Sequence, residues 1–173
     1  MTPDVDHLRK SLDDLGDLLE QIGFELVDDP NWAEPSDTSY LNDRDRADPD
    51  IMANVDAMDA TNKLIAWIGR DTEGFVGLWR GPDNLPLQQA PVVRLDTEGQ
   101  YSLVGATVPD YIAVSAGEDA FADARATLVA AGFKVAASEE KVWDALKGIA
   151  GPNAYRHDLY NKGRIKRGLD PIG

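Results

Sequence analysis

Apolar residues recur at spacings of three and four along the start of the chain, which predicts an amphipathic helix over residues 4–22. Its apolar positions are Val5, Leu8, Leu12, Leu15, Leu18, Leu19 and Ile22. Asp4 and Asp6 suit the positive end of the helix dipole, and Gly23 fits the position just after the last turn. The alternation at 24–27 indicates a short strand next.

The helical pattern stops at residues 28–50, which contain three prolines and few large apolar residues. Together with the adjoining Glu25, this stretch carries nine carboxylates: Glu25, Asp28, Asp29, Glu34, Asp37, Asp43, Asp45, Asp48 and Asp50. Proline and dense charge without periodicity predict a long loop with one turn of helix. A short helix is expected from Pro49, with Asp48 as its N-cap. Its inward face is predicted to comprise Ile51, Met52, Val55 and Met58.

Four short apolar runs occupy the middle of the chain, at 64–69, 75–80, 91–96 and 101–105. Asp-Thr-Glu-Gly joins the first pair at 71–74 and the second at 96–99, and glycine supplies the positive φ of a tight turn. Two successive hairpins predict an antiparallel sheet, because parallel pairing needs a long crossover. Residues 69 and 76 are expected to lie nearly opposite each other, and Trp67 and Trp79 close to one rung as an aromatic pair.

Three further helices and an edge strand are predicted after the sheet. One is capped by Thr107, with Val108, Tyr111 and Ile112 inside, and another spans 118–131 on Phe121, Leu128 and Val129. Residues 133–135 indicate the strand. Ser138 caps the last helix, with Val142, Trp143, Leu146 and Ile149 inside. The basic, turn-rich residues 153–173 either dock on the acidic first third or fray.

Together these elements predict an α+β fold in a single domain. One curved antiparallel sheet of about four to six strands is flanked by N- and C-terminal helices. The chain's 173 residues are the size of one ordinary domain.

The formal charge of −14 is concentrated at one end, because residues 1–60 hold 17 acidic and 4 basic side chains. Such a field repels nucleic-acid phosphates and membrane surfaces, and it attracts a basic protein. The alternative is that the charge serves solubility alone. With no cysteine, no apolar run of membrane-spanning length and no apolar stretch at the acidic N-terminus, a cytoplasmic location is expected.

Residues that carry catalytic or metal chemistry are scarce. His7 and His157 are the only histidines, and no metal-ligand spacing is present. His7 is expected to be solvated. Ser115 lacks the glycines of a nucleophile elbow, and residues 43–50 lack the glycine and glutamate of a calcium loop. The sequence therefore predicts no cofactor, no metal and no catalysis. A small hydrolase using Asp or Glu with one histidine remains the alternative.

The order of elements over 64–115 resembles the SUKH superfamily, which contains bacterial toxin-immunity proteins and a fungal regulator of cell-wall synthesis. The match comprises Leu-Ile-Ala-Trp-Ile-Gly at 64–69, the returning strand at 75–79, Pro-Val-Val-Arg-Leu-Asp-Thr-Glu-Gly at 91–99 and Thr-Val-Pro-Asp-Tyr-Ile at 107–112. The family's usual N-terminal helical pair with Leu-Pro is missing, and the acidic stretch stands in its place. The resemblance implies an α+β fold that binds without catalysis.

These observations predict a protein-binding domain, and specifically an immunity protein that neutralises a basic toxin such as a nuclease. The predicted contact residues are Trp32, Asp37, Tyr40, Asp43, Asp45 and Asp48. An aromatic ring among carboxylates is what a hot spot facing a basic partner looks like, and the alternative is that Trp32 simply anchors the loop. A regulatory or structural subunit of a larger assembly is a further alternative, and the oligomeric state stays open. A pocket where His157 meets carboxylates would favour the hydrolase.

Overall fold

Five antiparallel strands form the centre of the fold, and α-helices pack against both faces of this sheet. The computed structural model describes residues 2–173. The strands are β1 (Glu25–Leu26), β2 (Ile65–Arg70), β3 (Gly74–Trp79), β4 (Val92–Asp96) and β5 (Tyr101–Gly105). The helices are α1 (Pro3–Lys10), α2 (Leu12–Gln21), α3 (Asp43–Ala47), α4 (Pro49–Asn62), α5 (Val108–Ser115), α6 (Phe121–Ala130), α7 (Glu139–Leu146) and α8 (Pro152–Lys166). The predicted α+β class is confirmed.

The sheet follows chain order, β1-β2-β3-β4-β5, so every connection joins neighbouring strands. Both predicted hairpins form. In the first turn the Asp71 carboxylate accepts hydrogen bonds from the Glu73 and Gly74 amides. In the second turn the Asp96 carboxylate accepts from the Glu98 and Gln100 amides. Repeated Asp-Thr-Glu-Gly therefore acts in both turns through an aspartate that binds the turn's backbone.

The predicted aromatic pair across β2 and β3 is wrong. Gly69 does lie opposite Val76, but Trp67 lies opposite Gly77, and Trp79 lies opposite Ile65. The register shifts between Trp67 and Gly69, because β2 carries one extra residue there. This bulge moves Trp67 along the strand relative to β3.

One face of the sheet packs against the N-terminal helices together with α5, α6 and α7. Its apolar core includes fully buried side chains from each of these helices and from β2 to β4: Leu8, Leu15, Ile68, Val76, Val92, Ile112, Leu128 and Val142. Thr107 caps α5 as predicted, since its hydroxyl accepts from the Asp110 amide. Ser138 likewise caps α7.

The other face packs against α4, α8 and the acidic segment, by which we mean residues 28–50. Its core comprises Ile65, Trp67, Trp79, Val93, Leu95 and Tyr101. The small residues Ala53 and Ala57 of α4 are buried, and Gly163 of α8 lies against Ala53. The predicted inward face of α4 is wrong at Ile51, which is exposed, because α8 packs on the alanine side of the helix.

Three other sequence-based predictions fail around the helices. The first helix is interrupted at Ser11, where the backbone leaves helical geometry, so that Leu12 begins α2 and is 43% exposed. Residues 133–135 form no strand. Three side chains that were predicted to face the core are exposed instead: Val129, Trp143 and Ile149.

The basic C-terminal region is a helix rather than a turn-rich tail. α8 begins at Pro152, a residue that favours the first turn of a helix, and runs for 15 residues along α4. Docking on the acidic third, one of the two predicted outcomes, is the one observed. No helix in residues 2–173 has the length and apolar character that spanning a bilayer requires.

Candidate functional site

The aromatic residues of the acidic segment divide into one that packs and one that projects. Trp32 is half-buried and meets Phe75 of β3 edge-on, with ring centroids 5.2 Å apart. Tyr40 is 73% exposed, whereas its neighbour Leu41 is buried. Trp32 therefore serves as a loop anchor while keeping part of its ring at the surface, and Tyr40 is free for contact.

A buried asparagine at the end of α4 fixes the acidic segment to the sheet. Asn62 is 4% exposed, and its amide donates to the Pro35 carbonyl oxygen and to Ser36 Oγ, both at 3.0 Å. Its side-chain oxygen accepts from the Tyr101 hydroxyl of β5 at 2.6 Å. Burial raises the pKa of Tyr101, so this phenol remains a donor. The hub joins loop, helix and sheet at one point.

Most of the predicted acidic contact residues also accept hydrogen bonds from nearby backbone amides. Asp37 accepts from the Ser39 amide at 2.9 Å and hydroxyl at 2.7 Å, and these bonds lower its pKa. Asp45 forms a capping box with Asn42 at the start of α3.

The other two predicted aspartates have different roles, since one caps a helix and the other makes no side-chain bond within residues 2–173. Asp48 caps α4 as predicted, accepting from the Asp50 and Ile51 amides. Asp43 is exposed and makes no side-chain hydrogen bond or ion pair with the described residues. Of the four predicted aspartates, Asp43 is therefore the one without a backbone-supporting role.

Arg164 of α8 and Arg167, which directly follows α8, bind carboxylates of α4 instead of those at 43–48. Arg164 pairs with Asp50, which also accepts from the Tyr160 hydroxyl at 2.6 Å. Arg167 pairs with Asp56 at 2.6 Å. The tyrosine hydrogen bond, followed by the arginine, lowers the pKa of Asp50. The docked helix thus leaves the carboxylates nearer Trp32 without neutralisation from the C-terminal region.

Two surface hollows meet at Trp32. The first, of about 400 Å³, is lined by residues of β1 and the acidic segment, with one guanidinium: Glu25, Leu26, Val27, Asp28, Asp29, Trp32, Glu34 and Arg70. The second, of about 290 Å³, lies between the loop, the end of α4 and β2, and is lined by Pro30, Asn31, Trp32, Ala33, Ser36, Asp59, Asn62, Lys63, Ile65 and Trp67. We call these the acidic hollow and the edge groove.

Ion pairs neutralise the acidic hollow only in part. Arg70 Nε lies 3.1 Å from Glu25, and its Nη1 lies 3.9 Å from Glu34. Arg9 approaches Asp28 at 2.7 Å. The Asp29 carboxylate accepts only from the Asn31 amide among the described groups. Four carboxylates beside an aromatic wall form a site suited to cationic side chains.

Neither histidine side chain makes a hydrogen bond or an ion pair with a carboxylate within residues 2–173. His157 is exposed on α8 and lines neither hollow. His7 was predicted to be solvated, but it stacks on Phe133 with ring centroids 4.2 Å apart. Within residues 2–173, no group of three or more carboxylate or imidazole side chains has the geometry of a metal site.

A buried charged cluster that the sequence does not predict lies at the first hairpin. Arg94 Nη2 is 2.6 Å from the Asp71 carboxylate, whose side chain is 2% exposed, and the Tyr111 hydroxyl donates to the same oxygen at 2.7 Å. Burial, and then the Asp71 charge, raise the pKa of Tyr111. Every group is paired, so the cluster joins the hairpin to α5 and is structural.

Sequence reasoning found Trp32 but missed the residues that shape its surroundings. Glu25, Asp28, Asp29 and Glu34 appeared in it only as members of a charge run, and nothing in the pattern set Asn62 apart from other polar helix residues. Comparison with models of known protein families, with curated proteins and with solved structures finds no match in any of the three.

Proposed function

We propose that this chain is a non-catalytic binding domain that captures a basic protein through the surface around Trp32. The observation that carries the proposal is the acidic hollow, which four carboxylates line together with a half-buried tryptophan. Aromatic residues with a polar rim are typical of the residues that dominate binding energy at protein interfaces. The net charge of −14 adds a long-range field that speeds the encounter with a cation-rich surface and disfavours nucleic acid.

Within this class, we propose an immunity protein that neutralises a basic toxin such as a nuclease. The resemblance of residues 64–115 to the SUKH superfamily supports this choice, as does the sequential antiparallel sheet between helices. A nuclease must bind phosphates, so its active surface is rich in lysine and arginine. An acidic surface complementary to it would bind quickly and cover the catalytic residues.

The test compares two neutralised variants with the same loss of charge. Asp29→Asn with Glu34→Gln alters the acidic hollow, and Asn31 can still donate to the remaining side-chain oxygen at 29. Glu118→Gln with Asp119→Asn removes two exposed carboxylates next to α6, on the layer that covers the opposite face of the sheet. Proteins captured from the source lysate by the wild-type chain are identified, and their association rates are measured from 20 mM to 500 mM salt.

A basic partner should associate more slowly as salt rises, because the Debye length falls from about 30 Å at 0.01 M to about 3 Å at 1 M. Loss of the two charges at the acidic hollow should lower the association rate at least threefold more than loss of the two charges near α6. Equal effects of the two pairs would contradict a localised site. If the partner is a nuclease, one equivalent of the chain should abolish its DNA cleavage.

A further inference from the structure

The short first strand pairs with only part of one edge of the sheet. β1 pairs only with Arg70 and Gly69 of β2, and the Val27 amide adds one bond to the Ile68 carbonyl oxygen. After Val27 the chain no longer runs beside β2. Residues 65–67 of β2 therefore have β3 on one side and no strand on the other within the described chain.

The free backbone groups of this edge can be assigned from the hydrogen-bond pattern. The Arg80 amide donates to the Leu64 carbonyl oxygen at 3.0 Å, so Leu64 points toward β3. Direction alternates along an antiparallel strand, so Ala66 also faces β3, whereas Ile65 and Trp67 face outward. Among residues 2–173, no loop or side-chain group forms a hydrogen bond with the outward groups of these two residues.

Ile65 and Trp67 line the edge groove, although as whole residues they are only 5% and 3% exposed. Asn31, Trp32 and Ala33 form one wall of this groove, and Ile65 and Trp67 form the base, in a hollow of about 290 Å³. Unpaired strand backbone that is accessible from a groove is a template for another strand. Each added residue advances about 3.3 Å, so three residues of an incoming segment would span 65–67.

The charge of the neighbouring surface indicates which kind of segment would bind in the edge groove. Trp32 lines both hollows, so a segment lying in the edge groove continues into the acidic hollow, whose four carboxylates are neutralised only in part by Arg70 and Arg9. Lys63, the one basic residue of the edge groove, is already paired with Asp59 at 2.6 Å. An acidic or neutral segment would gain no electrostatic attraction here, whereas a basic one would.

We infer that an extended, basic segment of a partner protein adds to the edge of β2 as a sixth strand, in the row that β1 begins. Its amides and carbonyls pair with Ile65 and Trp67, and its lysine or arginine side chains lie beside Trp32 in the acidic hollow. This inference rests on the proposed capture of a basic protein and specifies its binding mode.

The test uses the full ¹⁵N-labelled chain and two blocked synthetic hexapeptides of equal charge. Lys-Thr-Lys-Val-Lys-Thr can form a strand, whereas Lys-Pro-Lys-Pro-Lys-Pro lacks the amide donors at alternate positions. We expect the first peptide to bind at least tenfold more tightly, with new protection from hydrogen exchange at the Ile65 and Trp67 amides. In the free chain, these two amides should exchange at least tenfold faster than the Ala66 amide, which faces β3.

Two matched variants test the position of the peptide. Ala33→Arg obstructs the groove wall, and Ala47→Arg adds the same charge at an exposed position in α3. The first should weaken binding of the strand-forming peptide at least tenfold and the second less than threefold. Equal affinity for both peptides, absence of binding at 1 mM, or slow exchange of both outward amides in the free chain would overturn strand addition. If both peptides bind equally and binding falls with salt, capture of basic partners survives and only its proposed mode fails.

Discussion

Replacing Asn62 with alanine removes the hub that holds the acidic segment against the sheet. Three hydrogen bonds are lost, and the partners left behind are the Pro35 carbonyl, Ser36 Oγ and the Tyr101 hydroxyl. Ser36 is half-buried and can turn to water, but Tyr101 is 3% exposed and Pro35 is buried. Each buried unpaired group costs about 1–3 kcal/mol, so two such groups predict a loss of about 2–6 kcal/mol. A water molecule entering the vacated space would bring the loss toward the lower value.

The free energy of unfolding is measured by urea denaturation followed by tryptophan fluorescence. Asn31→Ala is the matched control, because this asparagine is exposed, and its change should stay within about 0.5 kcal/mol. Tyr101→Phe removes one hydroxyl from the hub and should cost about 1–2 kcal/mol. A double-mutant cycle of Asn62→Ala with Tyr101→Phe should show a coupling of about 1 kcal/mol, because both changes remove the same bond.

Hydrogen exchange gives a second measure of the same perturbation. If the hub fixes the loop, amides of residues 32–41 should lose protection in Asn62→Ala while those of β3 and β4 keep theirs. A loss of stability below about 1 kcal/mol, or additive effects in the cycle, would refute the reasoning. Either result would mean that the loop is held by the packing of Trp32 on Phe75 instead.

Three other outcomes follow from individual residues. Asp48→Ala removes an N-cap and should lower the free energy of unfolding by about 1 kcal/mol, whereas Asp43→Ala should change it by less than about 0.5 kcal/mol in the same urea titration. Gly105→Ala places a Cβ 2.8 Å from the backbone of α5 and should cost about 1–3 kcal/mol, but Gly16→Ala in α2 meets no atom within 4 Å and should stabilise by up to about 1 kcal/mol. The lowered pKa of Asp50 means that its carboxylate stabilises the fold above its unfolded pKa of about 3.9. Asp50→Asn should therefore lower the Tm at pH 7, and the difference from wild type should shrink as pH falls below about 4; a difference that is constant from pH 7 to pH 3 would contradict this.

The sheet was predictable because its signals are local. An aspartate and a glycine at fixed positions define each hairpin turn, and the short connections exclude parallel pairing. Helix starts at Asp48, Thr107 and Ser138 were predictable for the same reason, since a capping side chain binds an amide two or three residues away. These features depend on a few neighbouring residues and hardly on the rest of the chain.

The failures arise where distant parts of the chain decide the outcome. The bulge between Trp67 and Gly69 changes the pairing register without any turn residue to mark it. Ile51 has the apolar character of a core residue, but α8 packs against Ala53, where a small side chain and Gly163 allow close approach. The helical state of α8 itself depends on that docking, because its sequence has little apolar periodicity of its own.

The candidate site could be predicted in composition but not in shape. Trp32 stood out because it is an aromatic residue in a charged stretch, yet its two hollows depend on where Asn62 holds the loop and where β1 ends. The predicted charge run also separates into different roles once folded. A carboxylate that caps a helix and one that faces solvent are identical in sequence, and only the positions of nearby amides distinguish Asp48 from Asp43.

The different roles of these carboxylates bear on whether the negative charge serves solubility alone. If the charge served only solubility, the basic residues of α8 could pair with any carboxylate and stabilise the fold equally well. The two arginines at the end of α8 instead bind Asp50 and Asp56 on α4, which fixes α8 over the sheet and leaves the carboxylates around Trp32 to Arg70 and Arg9. Unbalanced negative charge destabilises a compact state through self-repulsion. A cationic segment bound in the acidic hollow would relieve this repulsion. Binding should therefore raise the Tm of the wild-type chain more at low salt than at high salt.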